Sequence, residues 1–447
     1  MTQADDNGRK RLCKVNSAIR QFIFNRRQKH GGPDQVRSTP QAPIPVLPCG
    51  PAASGKAAYL HAALQRLKQC DRFCALAVAW DAADDNAGLP SIRRAAGGLA
   101  DPAEGVWGEL AHDIAGCCLP GADPAAALAF AGRLRERIRA AGNGTVSTGI
   151  AVYPMLAFDK EAVLLNAGKA LAHALLLGKD SVAVFDAVSL NVNADALYQK
   201  GDVAGAAREL ELARQLDPGD VNVLNSLGVC YGASGRLAEA LAVFEEAARR
   251  DRQDVMALHN AGYACYLNGN REKALAYFHQ AEKLDGNVFE VIFHLGRLYL
   301  ERGETHKAKH FLDKALRIRP DSGLVYNCLG AHHVEDGDTR KAVNCFEKAV
   351  KKNPNDAEAL SMLALLYDRI GENPEIAVVF SEKSVEIEPE EAVYHTRLGE
   401  IYRARQRYRD ALVAFENAAR LGHDVTEEMN VIRGVMRRGS GTEPDRK

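Results

Sequence analysis

Apolar residues in the second half of the chain recur with a long and regular period. The fragments "LGVCYGASGRLAEALAVFEEA" from 227, "AGYACYLNGNREKALAYFHQA" from 261, "LGRLYLERGETHKAKHFLDKA" from 295 and "LGAHHVEDGDTRKAVNCFEKA" from 329 start 34 residues apart. Gly228, Gly262, Gly296 and Gly330 keep that spacing, as do Gly235, Gly269, Gly303 and Gly337, and Ala240, Ala274, Ala308 and Ala342. Within each period the apolar positions follow a helical rhythm, break at a glycine, and resume. This predicts two amphipathic helices per unit, joined where glycine supplies a backbone angle that other residues resist. One such pair cannot bury its apolar face alone, so neighbouring pairs must stack. Seven units begin near residues 187, 221, 255, 289, 323, 357 and 392. The sixth holds one extra residue in "GENPEIA", and the seventh has Gln406 where glycine is expected. "TEEMNVIRGVMRR" (426–438) reads as a closing helix with an acidic start and a basic end.

Residues 52–186 have another texture. A helical run "AAYLHAALQRLKQ" precedes a strand "FCALAVAW", and "GVWGELAHDIAGCCLPG" (105–121) reads as a hairpin. An amphipathic helix "PAAALAFAGRLRERIRAA" (124–141), an alternating strand "GTVSTGIAVYP" (144–154) and a helix–turn–strand segment (159–186) follow. Alternating elements of this kind predict a small α/β domain.

The repeated half resembles the tetratricopeptide repeat (TPR) family, which has a small residue at repeat position 8, Gly at 15 and Ala at 20 and 27. The resemblance implies a mainly α protein, a TPR α-solenoid of about seven helix–turn–helix repeats over residues 187–425. It also implies a binding groove lined by positions 2, 5, 9, 12 and 13 of each first helix. Carried onto this sequence, those positions give Met256, His259, Tyr263, Tyr266 and Leu267 in the third repeat. They give Glu290, Phe293, Arg297, Leu300 and Glu301 in the fourth, and Leu324, Asn327, Ala331, Val334 and Glu335 in the fifth. The expected groove is apolar and aromatic with a charged rim, suited to a helix or extended peptide with apolar anchors. Tyr263 and Phe293 are expected to be open to the partner. The basic residues with which some family members clamp a C-terminal carboxylate are missing from the first three repeats.

The second half of the preceding region, "TVSTGIAVYP", "NAGKALAH" and "GKDSVAVF", resembles the GGDEF domain of diguanylate cyclases. Residues 56–186 are therefore expected to be a GGDEF-like α/β domain, in a bacterial signalling setting. "AHDIA" (111–115) stands where the signature belongs, and only Asp113 fits it. Of the acidic metal-binding pair on the first strand only Asp81 remains, and Lys169 keeps a phosphate-contacting helix position whose second basic residue is replaced by His173. Two-metal phosphoryl transfer needs several carboxylates. Asp81, Asp113 and Lys169 thus read as a vestigial nucleotide site in a catalytically inactive domain.

The stretch "GPAASGK" (50–56) mimics a phosphate-binding loop, but Ala57 lacks the hydroxyl that magnesium needs, and the preceding "PIPVLPC" is too proline-rich for a buried strand. It reads as the end of a Pro-rich linker over 33–55. Before it, residues 1–32 form a basic tail with Leu12, Val15, Ile19, Phe22 and Ile23 on one helical face. Docking on the chain's own domain or on a partner is the expectation for this tail, and peripheral membrane contact the other reading. Residues 439–447 read as a frayed tail.

Composition changes this picture little. Hydrophobic content of 47%, charged content of 26% and a net charge of −1 fit a soluble protein and give no sign of nucleic-acid binding. Ten cysteines without a CxxC pair suggest reduced thiols and a cytoplasmic setting. His306 and His310, and the pair His332–His333, fall short of the three or four ligands that zinc needs, so no metal and no cofactor is expected. The functional expectation is a non-enzymatic scaffold whose repeat groove binds a protein or peptide. The alternative is a nucleotide sensor in which the α/β domain still binds GTP or cyclic di-GMP and tunes the groove.

Overall fold

The computed structural model describes residues 54–81, 88–97, 105–141 and 144–439. The chain divides into two units, residues 1–270 and 271–447. The N-terminal tail and nearly all of the Pro-rich linker lie outside the described residues.

The first unit opens with α1 (Ser54–Leu67), β1 (Phe73–Trp80), α2 (Gly88–Ala96), β2 (Val106–Ala111) and β3 (Ile114–Pro120). It continues with α3 (Pro124–Ala140), β4 (Val146–Tyr153), α4 (Lys160–Leu177) and β5 (Val182–Val184). The strands form one sheet in the order β2-β3-β1-β4-β5. β1 lies at its centre, antiparallel to β3 from Phe73↔Pro120 to Ala79↔Ile114 and to β4 from Phe73↔Tyr153 to Trp80↔Val146. β4 and β5 run parallel. The first four strands with their two crossover helices make a split βαβ arrangement, to which β5 is added. Helices cover both faces, which is why β1 is an unbroken apolar run rather than an alternating one.

On one face Ile92 and Ala96 of α2 and Phe130, Leu134 and Ile138 of α3 close over Cys74, Leu76, Val78 and Ile150. The sequence pattern had not marked α2 as a helix. On the other face the approach is so close that side chains are excluded. A Cβ on Gly149 would sit 2.0 Å from the backbone nitrogen of Leu171 in α4. Cβ atoms on Gly108 and Gly116 would meet the Tyr59 side chain of α1 at 2.5 Å, at its Cβ and at its ring respectively. α3 and α4 start where the sequence supplies caps: Asp123 accepts from Ala126 N at 2.8 Å and Asp159 from Ala162 N at 2.7 Å.

The rest of the first unit is helical: α5 (Ala187–Gln199), α6 (Val203–Leu216), α7 (Val221–Ala233), α8 (Leu237–Arg250) and α9 (Val255–Leu267). The second unit holds α10 (Arg271–Leu284), α11 (Phe289–Glu301), α12 (Thr305–Ile318), α13 (Gly323–Glu335) and α14 (Thr339–Lys352). It ends with α15 (Ala357–Ile370), α16 (Pro374–Ile387), α17 (Ala392–Ala404), α18 (Tyr408–Arg420) and α19 (Thr426–Gly439). Among the described residues, no helix is long and apolar enough to cross a membrane.

Each turn between first and second helix passes through the left-handed region, at φ 87° for Gly201, 77° for Gly235, 70° for Gly303, 75° for Gly337 and 70° for Gly371. Gln406 takes the same turn at φ 59°, so the departure in sequence is not one in conformation. Inside a hairpin the position-8 glycine lies beneath a large side chain of the second helix. Added Cβ atoms would come within 2.4 Å of Phe244 at Gly228, 2.8 Å of Phe346 at Gly330 and 2.7 Å of Phe415 at Gly399. Between hairpins a tyrosine of one first helix donates to a glutamate of the preceding second helix. Tyr231 reaches Glu211 at 3.0 Å, Tyr367 reaches Glu347 at 2.7 Å and Tyr402 reaches Glu382 at 2.6 Å. Burial, and then the bond to Glu382, pushes the Tyr402 phenol up to about 12.

The sheet contact sets a testable asymmetry between two glycines. Gly149→Ala forces backbone apart and is expected to lose about 1–3 kcal/mol or more in urea denaturation. Gly132→Ala, on α3 with open space around it, is expected to gain up to about 1 kcal/mol from helix propensity. Equal effects would contradict the close packing of α4 on β4.

Candidate interaction face and vestigial nucleotide site

β1 ends at Trp80, and the register of β1 with β3 places Asp81 and the β2–β3 turn at the same end of the sheet. The turn is His112–Asp113, with Asp113 at φ 63°, and both side chains are exposed with His112 Nδ1 2.6 Å from Asp113 Oδ2. Asp81 is not free for a metal. Its Oδ1 accepts from Ser147 Oγ at 2.6 Å and its Oδ2 from the Asp180 amide at 2.8 Å. Asp180 in turn pairs with Arg135 and Arg139 of α3. The carboxylate therefore ties the end of β1 to β4 and to the turn before β5.

Lys169 does not join them. Its ammonium meets both carboxylate oxygens of Glu209 on α6, at 2.9 and 2.8 Å, with both side chains four-fifths buried. The lysine couples the sheet domain to the helices that follow it. His173, one turn on, has Nδ1 3.4 Å from Ser189 Oγ and 3.6 Å from Asp186 Oδ1 at the start of α5. Both positions face the helical segment instead of a phosphate. The end of "GPAASGK" becomes the first turn of α1, where the Glu109 carboxylate lies 2.9 Å from the Cβ position of Gly55. An acid at that distance opposes a bound phosphate.

The predicted groove residues fall into two sets, one per unit. In the first unit His259 and Tyr263 are 2% and 6% exposed, and Tyr266 and Leu267 are half-buried. The rings of His259, Tyr263 and Tyr266 stack along α9 with centroids 6.4 and 6.2 Å apart. In the second unit Phe293 is 7% exposed and stacks on Phe289 at 5.9 Å. The Arg297 guanidinium covers the Phe293 ring at 5.8 Å, and Arg319 covers Phe289 at 3.8 Å. Tyr263 and Phe293 are thus buried, contrary to the sequence expectation: Tyr263 stacks between the rings of His259 and Tyr266, and Phe293 lies against Phe289 and under Arg297. Arg297, Leu300 and Val334 are half-buried, and Leu324 is exposed.

Polar links tie this first-helix face together. Asn225 donates to Asp254 at 3.1 Å, and Asn327 donates to both oxygens of Asp356 at 3.1 Å. In each case the acid sits at the N-cap of the next first helix. Farther along, Arg397 meets Glu358 at 3.3 Å and Ser361 at 3.1 Å, and Arg405 meets Asp368 at 2.7 Å. The sequence reading stopped at the fifth repeat and missed these arginines. Carrying groove positions 2, 5 and 12 into the sixth repeat gives Glu358, Ser361 and Asp368, their partners.

Residues 197–261 and 266–329 match a tetratricopeptide repeat model, and residues 345–377 match a second model of the same description. The chain therefore contains TPR repeats. Among solved structures, the APC/C hetero-tetramer Cut9-Hcn1 superposes with a TM-score of 0.50 at 15% identity over 60% of this chain. The match spans about half of that chain's length, 52%. A tetratricopeptide repeat protein from Parabacteroides merdae ATCC 43184 superposes at 0.44 with 21% identity, over 56% of this chain and 97% of that one. YrrB, described as a TPR protein with an unusual peptide-binding site, gives 0.34 with 22% identity over 43% and 97%. At these identities the likeness is one of fold. No curated protein matches the sequence.

The Lys169–Glu209 pair is tested by a double-mutant cycle. Lys169→Met and Glu209→Gln should each destabilise, and together should lose less than the sum by about 0.5–3 kcal/mol in chemical denaturation. Strict additivity would remove the pair as a link between the sheet and α6.

Proposed function

We propose that the TPR helices carry a protein- or peptide-binding face and that the chain acts as a non-enzymatic scaffold in the cytoplasm. The single observation that carries this reading is the first-helix face of the fourth and fifth repeats, where apolar Leu300, Leu324 and Val334 stay half-buried or exposed beside the Arg297–Glu301 pair. Leu300, Leu324 and Val334 supply apolar contact, and Arg297 with Glu301, at 3.9 Å, supplies polar edges. A partner that replaces those intramolecular pairs keeps the charges satisfied, so specificity comes without an uncompensated desolvation penalty.

In this reading the sheet domain derives from a GGDEF ancestor and supports the repeats instead of making a nucleotide. Three observations favour that role. Asp81 is engaged on both oxygens, Lys169 is turned to Glu209, and the hairpin turn holds His112 where a glycine would let substrate approach. Charged groups locked in such pairs hold a domain interface; they are not poised for phosphoryl transfer.

Leu324→Glu, at an exposed position that leaves folding intact, is expected to cut partner capture by the full chain at least tenfold, read by quantitative pull-down. Unchanged capture would contradict the assignment of this face. Titration calorimetry with GTP and with cyclic di-GMP at tens of micromolar is expected to give no heat. Saturable heat would favour the nucleotide-sensor reading.

A further inference from the structure

The repeats allow each position to be compared with its equivalents in the same chain. Position 10 of the first helix is Ala196, Cys230, Ala264, Leu298, Leu366 and Ile401, every one of them buried. In α13 the same slot holds His332, only 2% exposed. Among the described residues, neither ring nitrogen of His332 has a hydrogen-bond partner. Its Nε2 is 3.2 Å from Asp336 Oδ2, close enough to attract but not aligned as a hydrogen bond. A buried polar group left this way is destabilising, whereas an aliphatic residue in the slot leaves nothing unsatisfied.

The neighbouring position departs from the pattern too. His333 stands where Tyr231, Tyr299, Tyr367 and Tyr402 stand in other repeats, and its ring lies 5.2 Å from that of His332. Asp336 follows one turn later as the residue that ends α13, and its side chain is about half exposed. One donor atom from each of His332, His333 and Asp336 lies within 4.8 Å of the other two. The cluster occupies a helix C-terminus, where the backbone dipole favours positive charge.

We propose that His332, His333 and Asp336 form a binding site for a divalent transition-metal ion of the zinc class. Two imidazoles, which are borderline donors, and one carboxylate oxygen make a set that zinc accepts, binding them at about 2.0–2.2 Å. Ligand atoms around such an ion stand roughly 3–4 Å apart, so a modest rotation of the exposed Asp336 side chain completes the set. Metal ligation supplies the buried His332 ring with the partner that the apolar slot denies it. Asp338 is held by Lys341 at 2.7 Å and leaves the cluster little net charge from outside. Three protein donors leave a fourth position for water or for a side chain brought by a partner. His306 and His310 are both exposed and take no part.

The test is calorimetric titration of the full chain with zinc ion alone, beside the variants His332→Leu and Asp336→Asn. One saturable equivalent is expected, weakened at least tenfold in each variant. The melting temperature of the wild type should rise with zinc, and that of the variants should not. Asp336→Asn, at a surface position, decides the matter should His332→Leu misfold. Absence of saturable binding at tens of micromolar zinc, or binding equally tight in Asp336→Asn, overturns the site.

Discussion

In four of the repeats the hairpin closes on one contact: a glycine of the first helix pressed beneath a large apolar side chain of the second. At Gly228, Gly330 and Gly399 the covering residue is phenylalanine, and at Gly296 it is Leu312. The absence of a Cβ lets the two helices meet at backbone distance. The ring then fills the space that the close approach creates, as in any well-packed interior. Phe346 and Phe415 are fully buried as a result. The left-handed turn at position 15 and the tyrosine–glutamate bonds between hairpins build on this contact. They set the direction of the chain and the register of neighbours, and neither has meaning if the hairpin does not close. The proposed binding face is what remains of each first helix once its inner side has been used.

The sheet domain illustrates how the same residues can serve stability in place of chemistry. The resemblance in sequence leads to the expectation that Asp81 and Lys169 mark a vestigial metal and phosphate site. Here the aspartate joins Ser147 and the Asp180 amide, and the lysine joins Glu209. A half-buried ion pair is held by the cost of separating its partners, because removing either leaves the other unpaired. The lysine at the centre of α4 thus bears on how the sheet and the first repeat helices stay together. The metal proposal at His332 follows the reverse logic, since there a polar group stands in an otherwise apolar slot without a hydrogen bond among the described residues.

Much of the architecture was legible in the sequence. The 34-residue spacing placed the helices to within a residue or two, because glycine and small residues mark the points where geometry leaves no choice. The strands were visible as well, β1 as a continuous apolar run and the β2–β3 hairpin as two such runs around His112–Asp113. What the sequence did not convey was side-chain direction within crowded faces. Tyr263 and Phe293 sit at groove positions yet are buried, since ring stacking along a helix and arginine cover are decided by neighbours outside the repeat pattern. The pairing of Lys169 with Glu209 was likewise hidden, because 40 residues separate the two. Asp336 escaped notice beside the histidines although it lies four residues after His332, the spacing that puts two side chains on one helical face.

The glycine–aromatic contact is the claim on which the rest stands, and a size-swap experiment in the fifth repeat addresses it most directly. Gly330→Ala, Phe346→Leu and the double variant would be compared by urea denaturation. Each single change is expected to lose about 1–3 kcal/mol, one by overpacking and the other by leaving a cavity. The smaller ring substitute makes room for the added methyl, so the double variant should be more stable than the sum of the single losses by at least about 0.5 kcal/mol. Losses that simply add would contradict the account.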